Sequence, residues 1–320
     1  MSESNLCADF AMVFPGQGSQ SVGMLAALAN DFPAVTETFS AASAALGYDL
    51  WERVQQGPAE LLNQTACTQP AMLAAGVASW RCWQTKTERL PAIMAGHSLG
   101  EYTALVCAGA LDFVDAVGLV EKRGHYMQNA VPDGQGAMAA ILGLDDDQVR
   151  QLCVEAAEGE VVSAVNFNSP GQVVIAGQLA AVERAMKLAK TVGAKRALAL
   201  PVSVPSHCSL MQPAAELFAQ DLAEVVVNMP SIPVLHNVDA GRKETTDAIR
   251  AALVAQLYQP VRWVEIVRAM HAAGALKVLE MGPGKVLAGL NKRIEKTMPG
   301  IAVQTAADID NMLSEFMEGR

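Results

Sequence analysis

Ser98 sits at the centre of Gly96-His97-Ser98-Leu99-Gly100, after the apolar run Pro91-Ala92-Ile93-Met94-Ala95 and before a helix-forming stretch, Glu101 to Ala110. A strand that turns sharply into a helix forces its central residue into a strained backbone. Glycines two before and two after remove the Cβ atoms that would clash there. The hydroxyl is left at the carboxyl end of the strand, where the Leu99 N–H and the positive end of the following helix face any oxyanion formed when Ser98 attacks a carbonyl. The five letters alone suit an ordinary turn capping a helix equally well. It is the flanking strand and helix that favour a nucleophile elbow.

A serine hydroxyl near its free pKa is a poor nucleophile and needs a base within hydrogen-bond reach. The chain has five histidines: His97, His125, His207, His236 and His271. His97 adjoins Ser98 and is expected to point away from it. His207 lies in Val204-Pro205-Ser206-His207-Cys208, where proline holds an extended loop, and is the candidate base. A structural role is expected for each of the others. An orienting acid between serine and histidine could come from Asp112, Asp115, Asp133 or Asp145 to Asp147, none in a distinctive context, or the site lacks one.

Two glycine loops and one arginine complete the candidates. Gly16-Gln17-Gly18, with Ser21 and Gly23, lacks the third glycine and the distant acid of a dinucleotide fingerprint. It better serves as a second oxyanion donor, the Gln17 N–H facing that of Leu99. Gly284-Lys285 fails as a phosphate loop, because position 279 is Leu and no Ser or Thr follows the lysine; a strand-to-helix turn is expected. Arg123, in Val120-Glu121-Lys122-Arg123-Gly124, lies on an apolar-periodic helix. On the residues alone it is an exposed helix arginine, the alternative being a buried guanidinium that grips a substrate carboxylate through two hydrogen bonds.

These residues need a framework of alternating strands and helices. A strand at Phe10–Phe14 leads into the first glycine loop, helices follow across Met24–Leu46 and Pro70–Thr85 with proline in a first turn, and the elbow comes next. A helix from about Asp112 to Asn129 follows the elbow helix. Such alternation predicts an α/β fold with a mainly parallel sheet covered on both faces. Between about 131 and 204 the texture changes to strand Ala137–Leu142, helix Asp145–Ala157, strands Val161–Asn166 and Val173–Ala176, helix Leu179–Val192 and strand Lys195–Leu200. That β-α-β-β-α-β order is the ferredoxin-like unit. It predicts an inserted subdomain over 132–204 within a large domain of 1–131 and 205–320. The main pattern resumes with a strand at Pro233–Asn237, helices Thr246–Leu257 and Val261–Ala273, and strand Leu276–Met281.

With 320 residues, 51% of them hydrophobic and 18% charged, the chain is expected to fold compactly. The net charge of −10 opposes nonspecific binding to nucleic acid or anionic membranes. Cys7, Cys67, Cys82, Cys107, Cys153 and Cys208 lack C-x-x-C spacing and are expected as reduced thiols of a cytoplasmic protein. Met1 to Ala8 lacks the features of a signal peptide, and no run suits a membrane span. The histidines form no zinc motif. Nothing demands more than a monomer.

Taken together, Phe14-Pro15-Gly16-Gln17-Gly18-Ser19-Gln20, Thr68-Gln69-Pro70, Gly96-His97-Ser98-Leu99-Gly100-Glu101-Tyr102, Val165-Asn166-Phe167-Asn168-Ser169-Pro170-Gly171-Gln172 and Pro201-Val202-Ser203-Val204-Pro205-Ser206-His207 closely resemble the malonyl-CoA:acyl carrier protein transacylases of bacterial type II fatty acid synthesis. The segments occur in the same order and span nearly the whole chain. The resemblance implies an α/β-hydrolase-like large domain with a ferredoxin-like insert. It implies malonyl transfer from malonyl-CoA to acyl carrier protein without a cofactor. A serine hydrolase or thioesterase acting on acyl-CoA is the alternative.

By the same resemblance, Ser98 carries the acyl group, His207 is the base, Gln17 and Leu99 form the oxyanion hole, and Arg123 grips the malonyl carboxylate. Gln256, in Gln256-Leu257-Tyr258-Gln259-Pro260, supplies a main-chain carbonyl that orients the histidine, and His97 and Asn166 join the substrate site. Related polyketide synthase domains that select malonyl over methylmalonyl often have a bulky residue before the histidine. This chain has Ser206, which leaves exclusion of an α-methyl group open. For docking an acidic carrier protein, the most concentrated basic groups in the second half of the chain are Lys195, Arg196, Lys285, Lys292 and Arg293, the alternative being ordinary solvated surface residues.

Overall fold

A computed structural model describes residues 6–202 and 204–318, with side chains from Asp9 onward. The Met1–Ala8 leader reading, the side chain of Cys7 and residue Ser203 lie outside that description. Among the described residues the strands are β1 (Leu6–Phe14), β2 (Leu90–Gly96), β3 (Gly136–Leu142), β4 (Val162–Ser169), β5 (Gln172–Gln178), β6 (Arg196–Ala199), β7 (Val234–Leu235), β8 (Lys277–Met281) and β9 (Gly300–Val303). They form two sheets.

The larger sheet is parallel, in the order β7-β2-β1-β8-β9. Side chains alternate across a strand, so both faces of a central strand must be apolar when helices cover both. In β1, Phe10, Met12 and Phe14 enter one core with Met94, Leu279 and Met281, while Ala11 and Val13 enter the opposite core with Ile93, Ala95 and Val278. The glycine loop after β1 and the elbow after β2 therefore emerge side by side from adjacent strands, paired to their last residues, Phe14 and Gly96.

The smaller sheet is antiparallel, in the order β4-β5-β3-β6. Helices Asp146–Ala157 and Leu179–Thr191 cover one face through Val149, Leu152 and Val182 against Ile141, Val173 and Ile175. Met138, Val165, Val174 and Ala176 on the other face pack on Cys208, beside the candidate base. The six-element order read from the sequence is the observed one, and the chain is a mixed α/β protein. Edge strand β4 is tied to the larger layer by Phe167 N–H to Val261 O at 3.0 Å and Val261 N–H to Val165 O at 2.8 Å.

Several details differ from expectation. Pro70 does not open a helix: the helix runs Thr65–Lys86, and Pro70 lies inside it. Seventeen of its residues are buried, so no polar face marks where it begins, and the missing proline N–H is tolerated within the core. The Met24–Leu46 region divides into Ala26–Asp31 and Pro33–Leu46, the proline opening the second helix. Helices Gln212–Glu224 and Ala306–Glu318 and strand β9 have no counterpart in the sequence reading. Gly282 to Lys285 is the expected strand-to-helix turn, with Gly282 at φ 122° against Pro15.

Candidate active site

Ser98 has φ 52°, a left-handed value that is strained for a residue with a side chain. The flanking glycines are obligatory. A Cβ on Gly96 would lie 1.8 Å from the Gly100 carbonyl carbon, and one on Gly100 would lie 2.0 Å from the Phe14 oxygen. Asn237 holds the turn: its Oδ1 accepts from Ser98 N–H at 2.7 Å while its Nδ2 donates to Gly96 O at 2.7 Å.

The elbow aims Ser98 at His207. Ser98 Oγ donates to His207 Nε2 at 2.8 Å, and His207 Nδ1 donates to the main-chain oxygen of Gln256 at 2.7 Å. The ring therefore carries its proton on Nδ1 and offers Nε2 as a lone pair. None of the aspartates considered as orienting acid bonds to it, and the peptide oxygen takes that place. Burial, and then the positive charge of Arg123, push the His207 pKa down to about 3. The imidazole is thus neutral, and able to accept a proton, throughout the neutral range.

Arg123 is 1% exposed, so the surface position expected from its sequence context is not where it lies. The helix Phe113–Asn129 presents it inward, over the Tyr102 ring at 5.2 Å. Its two terminal nitrogens donate to Gln69 Oε1 at 2.8 Å and Gln256 Oε1 at 2.9 Å, and Nε has no partner. Two neutral amides hold the cation, and among the described residues no carboxylate pairs with it. A buried guanidinium in that condition is poised for an anion.

A cavity of about 120 Å³ joins these groups. Ser98, His207, Arg123, Gln17, Leu99, His97 and Asn166, the residues singled out in the sequence, all line it, while Gln256 reaches it through Arg123 and His207. Among the described residues no protein acceptor takes the N–H of Gln17 or Leu99. His97 Nε2 donates to Asn168 Oδ1 at 2.8 Å, and burial lowers its pKa, so it faces the cavity as a neutral ring. Asn166 Oδ1 is buried without a partner. Asn237, Glu101, Gln69 and Asn168 were not given roles from the sequence. Asn237 follows a two-residue strand far along the chain, and nothing local marks it as a clamp on residue 98.

Residues 11–312 match the family model for the acyl transferase domain. The chain belongs to the acyl transferase family. It is 62% identical over 294 residues to the malonyl CoA-acyl carrier protein transacylase of Escherichia coli K12, covering 92% of this chain and 95% of that one. A crystal structure of an acyl carrier protein S-malonyltransferase from Vibrio cholerae superposes with TM-score 0.93 at 61% identity, covering 95% of this chain and 99% of the other. A malonyl-transacylase solved in complex with its type II polyketide acyl carrier protein superposes with TM-score 0.95 at 57% identity, covering 96% and 99%. As an acyl transferase, the chain carries its buried arginine and its serine–histidine pair in a single cavity.

Proposed function

We propose that the protein transfers a malonyl group from malonyl-CoA to the phosphopantetheine thiol of an acyl carrier protein by way of a malonyl ester on Ser98, supplying fatty acid biosynthesis. The observation that carries this reading is the buried, acid-free fork of Arg123 in the same cavity as the Ser98–His207 pair. A hydrolase of simple acyl chains has no use for an internal cation. A dicarboxylic thioester has one carboxylate to place and one carbonyl to present.

In the first half-reaction His207 Nε2 takes the Ser98 proton as Oγ adds to the thioester carbonyl. The oxyanion lies between the N–H groups of Gln17 and Leu99, at the amino end of helix Gly100–Cys107. The C–S bond then breaks, and coenzyme A leaves as the thiol with the proton that His207 held. In the second half-reaction His207 takes the proton of the carrier thiol, the sulfur attacks the ester, and Ser98 regains its hydrogen. Gln256 orients His207 through its carbonyl and Arg123 through its side chain, while Arg123 holds the free carboxylate. Asn166 offers its unpartnered amide oxygen to a donor on the substrate, and His97 forms part of the wall. The scheme uses no cofactor, and among the described residues no group of three His, Cys, Asp or Glu could hold a metal.

The acidic carrier protein docks on the exposed basic groups. Arg293 donates to Gln172 Oε1 at 2.7 Å, Gln172 pairs with Leu142, and Leu142 pairs with Arg196, so Arg293, Arg196 and Lys195 share one end of the small sheet. Residues 132–204 act as an insert in the unit of 1–131 and 205–320, and the protein works as a cytoplasmic monomer. Among the described residues no helix is long and apolar enough to cross a membrane.

The test against the hydrolase alternative is product partition. With malonyl-CoA and holo carrier protein, malonyl-carrier is expected to accumulate much faster than free malonate. Malonate release at the same rate with or without the carrier would instead assign a thioesterase.

A further inference from the structure

We propose that Glu101 is the counter-charge of Arg123, held one amide away by Gln256, and that this separation keeps the guanidinium open to a substrate carboxylate and sets acyl selectivity. The inference rests on the proposed malonyl transfer. A buried cation needs compensation, yet an acid in direct contact would fill the guanidinium fork through two hydrogen bonds and leave nothing for substrate.

Glu101 is 0% exposed and accepts three hydrogen bonds. Its Oε1 takes His236 Nδ1 at 2.7 Å, and its Oε2 takes both Asn237 N–H at 2.9 Å and Gln256 Nε2 at 2.7 Å. The contact with His236 needs only the Nδ1–H tautomer of a neutral imidazole. Gln256 Nε2 also donates to Ser98 O at 3.0 Å. With two acceptors on its amide nitrogen, Gln256 can present only its oxygen to Arg123. Reversing the amide would set an oxygen against a carboxylate and an N–H against a guanidinium.

The same Oε2 therefore fixes two clamps on the elbow, Asn237 at the Ser98 N–H and Gln256 at the Ser98 carbonyl. Glu101 is thus a positioning residue as well as the balancing charge, acting at two hydrogen bonds' remove from the cation. Among the described residues the other fully buried acid, Glu280, accepts from the N–H groups of Leu287 and Ala288 at the start of the helix Val286–Ile294, so it has no such role.

Glu101→Gln separates charge from geometry. The new carboxamide oxygen can still accept from Asn237 and Gln256, and its NH2 can face His236 in the other tautomer. The negative charge is gone, so Arg123 attracts a substrate carboxylate more strongly. Acylation of Ser98 by malonyl-CoA and acetyl-CoA is measured by quenched flow in parent and variant. The ratio of the two kcat/KM values is expected to rise about tenfold in favour of malonyl, carried by a lower KM for malonyl-CoA. A ratio within about threefold of the parent's, or a lower one, overturns the proposal.

If Glu101→Gln yields no folded protein, Glu101→Asp keeps the charge and withdraws it from Gln256. The expected result is then a lower kcat with both donors and a ratio within about threefold of the parent's; a larger change in ratio overturns the proposal. A parent protein that does not take malonyl onto Ser98 would instead sink the functional reading itself.

Discussion

Alanine at Ser98, or at His207, is expected to lower malonyl transfer on the order of 10⁴-fold or more, and both together no further than either alone. The reason is geometric. A single hydrogen bond of 2.8 Å joins the two, and each is without function when the other is missing. The residual rate of each variant would come from the oxyanion donors and substrate binding, which neither replacement touches. Steady-state rates for the two single variants and the double variant check this. Multiplicative losses would show that the two side chains act independently, against the shared proton transfer.

Arg123→Ala should remove the malonyl preference. Among the described residues the buried guanidinium is the one cation lining the cavity, and losing it leaves a substrate carboxylate desolvated and unpaired. The expected cost is roughly 3 to 5 kcal/mol, or about 10²- to 5 × 10³-fold in kcat/KM for malonyl-CoA. Acetyl-CoA should move the other way. In the parent, the charge of Arg123 adds to burial in holding the His207 pKa down, so a donor without a carboxylate meets a weakened base. A malonyl carboxylate cancels that field, and so does the alanine substitution. Competition between the two acyl-CoA donors measures the effect. An unchanged malonyl-to-acetyl preference would release Arg123 from its role.

The sequence carried the framework where the pattern was local. The elbow, the β-α-β-β-α-β unit and the helix capped by Asp145 were all legible, because glycine spacing, period and capping residues are written within a few positions of one another. The start of the helix Thr65–Lys86 is not legible, since a helix buried nearly all round has no polar face to bound it. The site residues followed the same division. Ser98 and Leu99 belong to a local motif. His207 is a candidate base by its proline-held loop, whereas Gln256 and the gripping role of Arg123 come from the family resemblance, the residues alone favouring a surface position for Arg123. Glu101 and Asn237 stayed hidden because their contacts with Gln256 and Ser98 span 155 and 139 positions, which no local pattern records.

The most direct measurement is the mass of the protein mixed with malonyl-CoA, quenched in acid and digested before a carrier thiol is added. One malonyl ester is expected, on the peptide that contains Ser98, and it should disappear when holo acyl carrier protein is supplied. An unmodified Ser98 during active turnover, or a malonyl group found on another residue, would contradict the account.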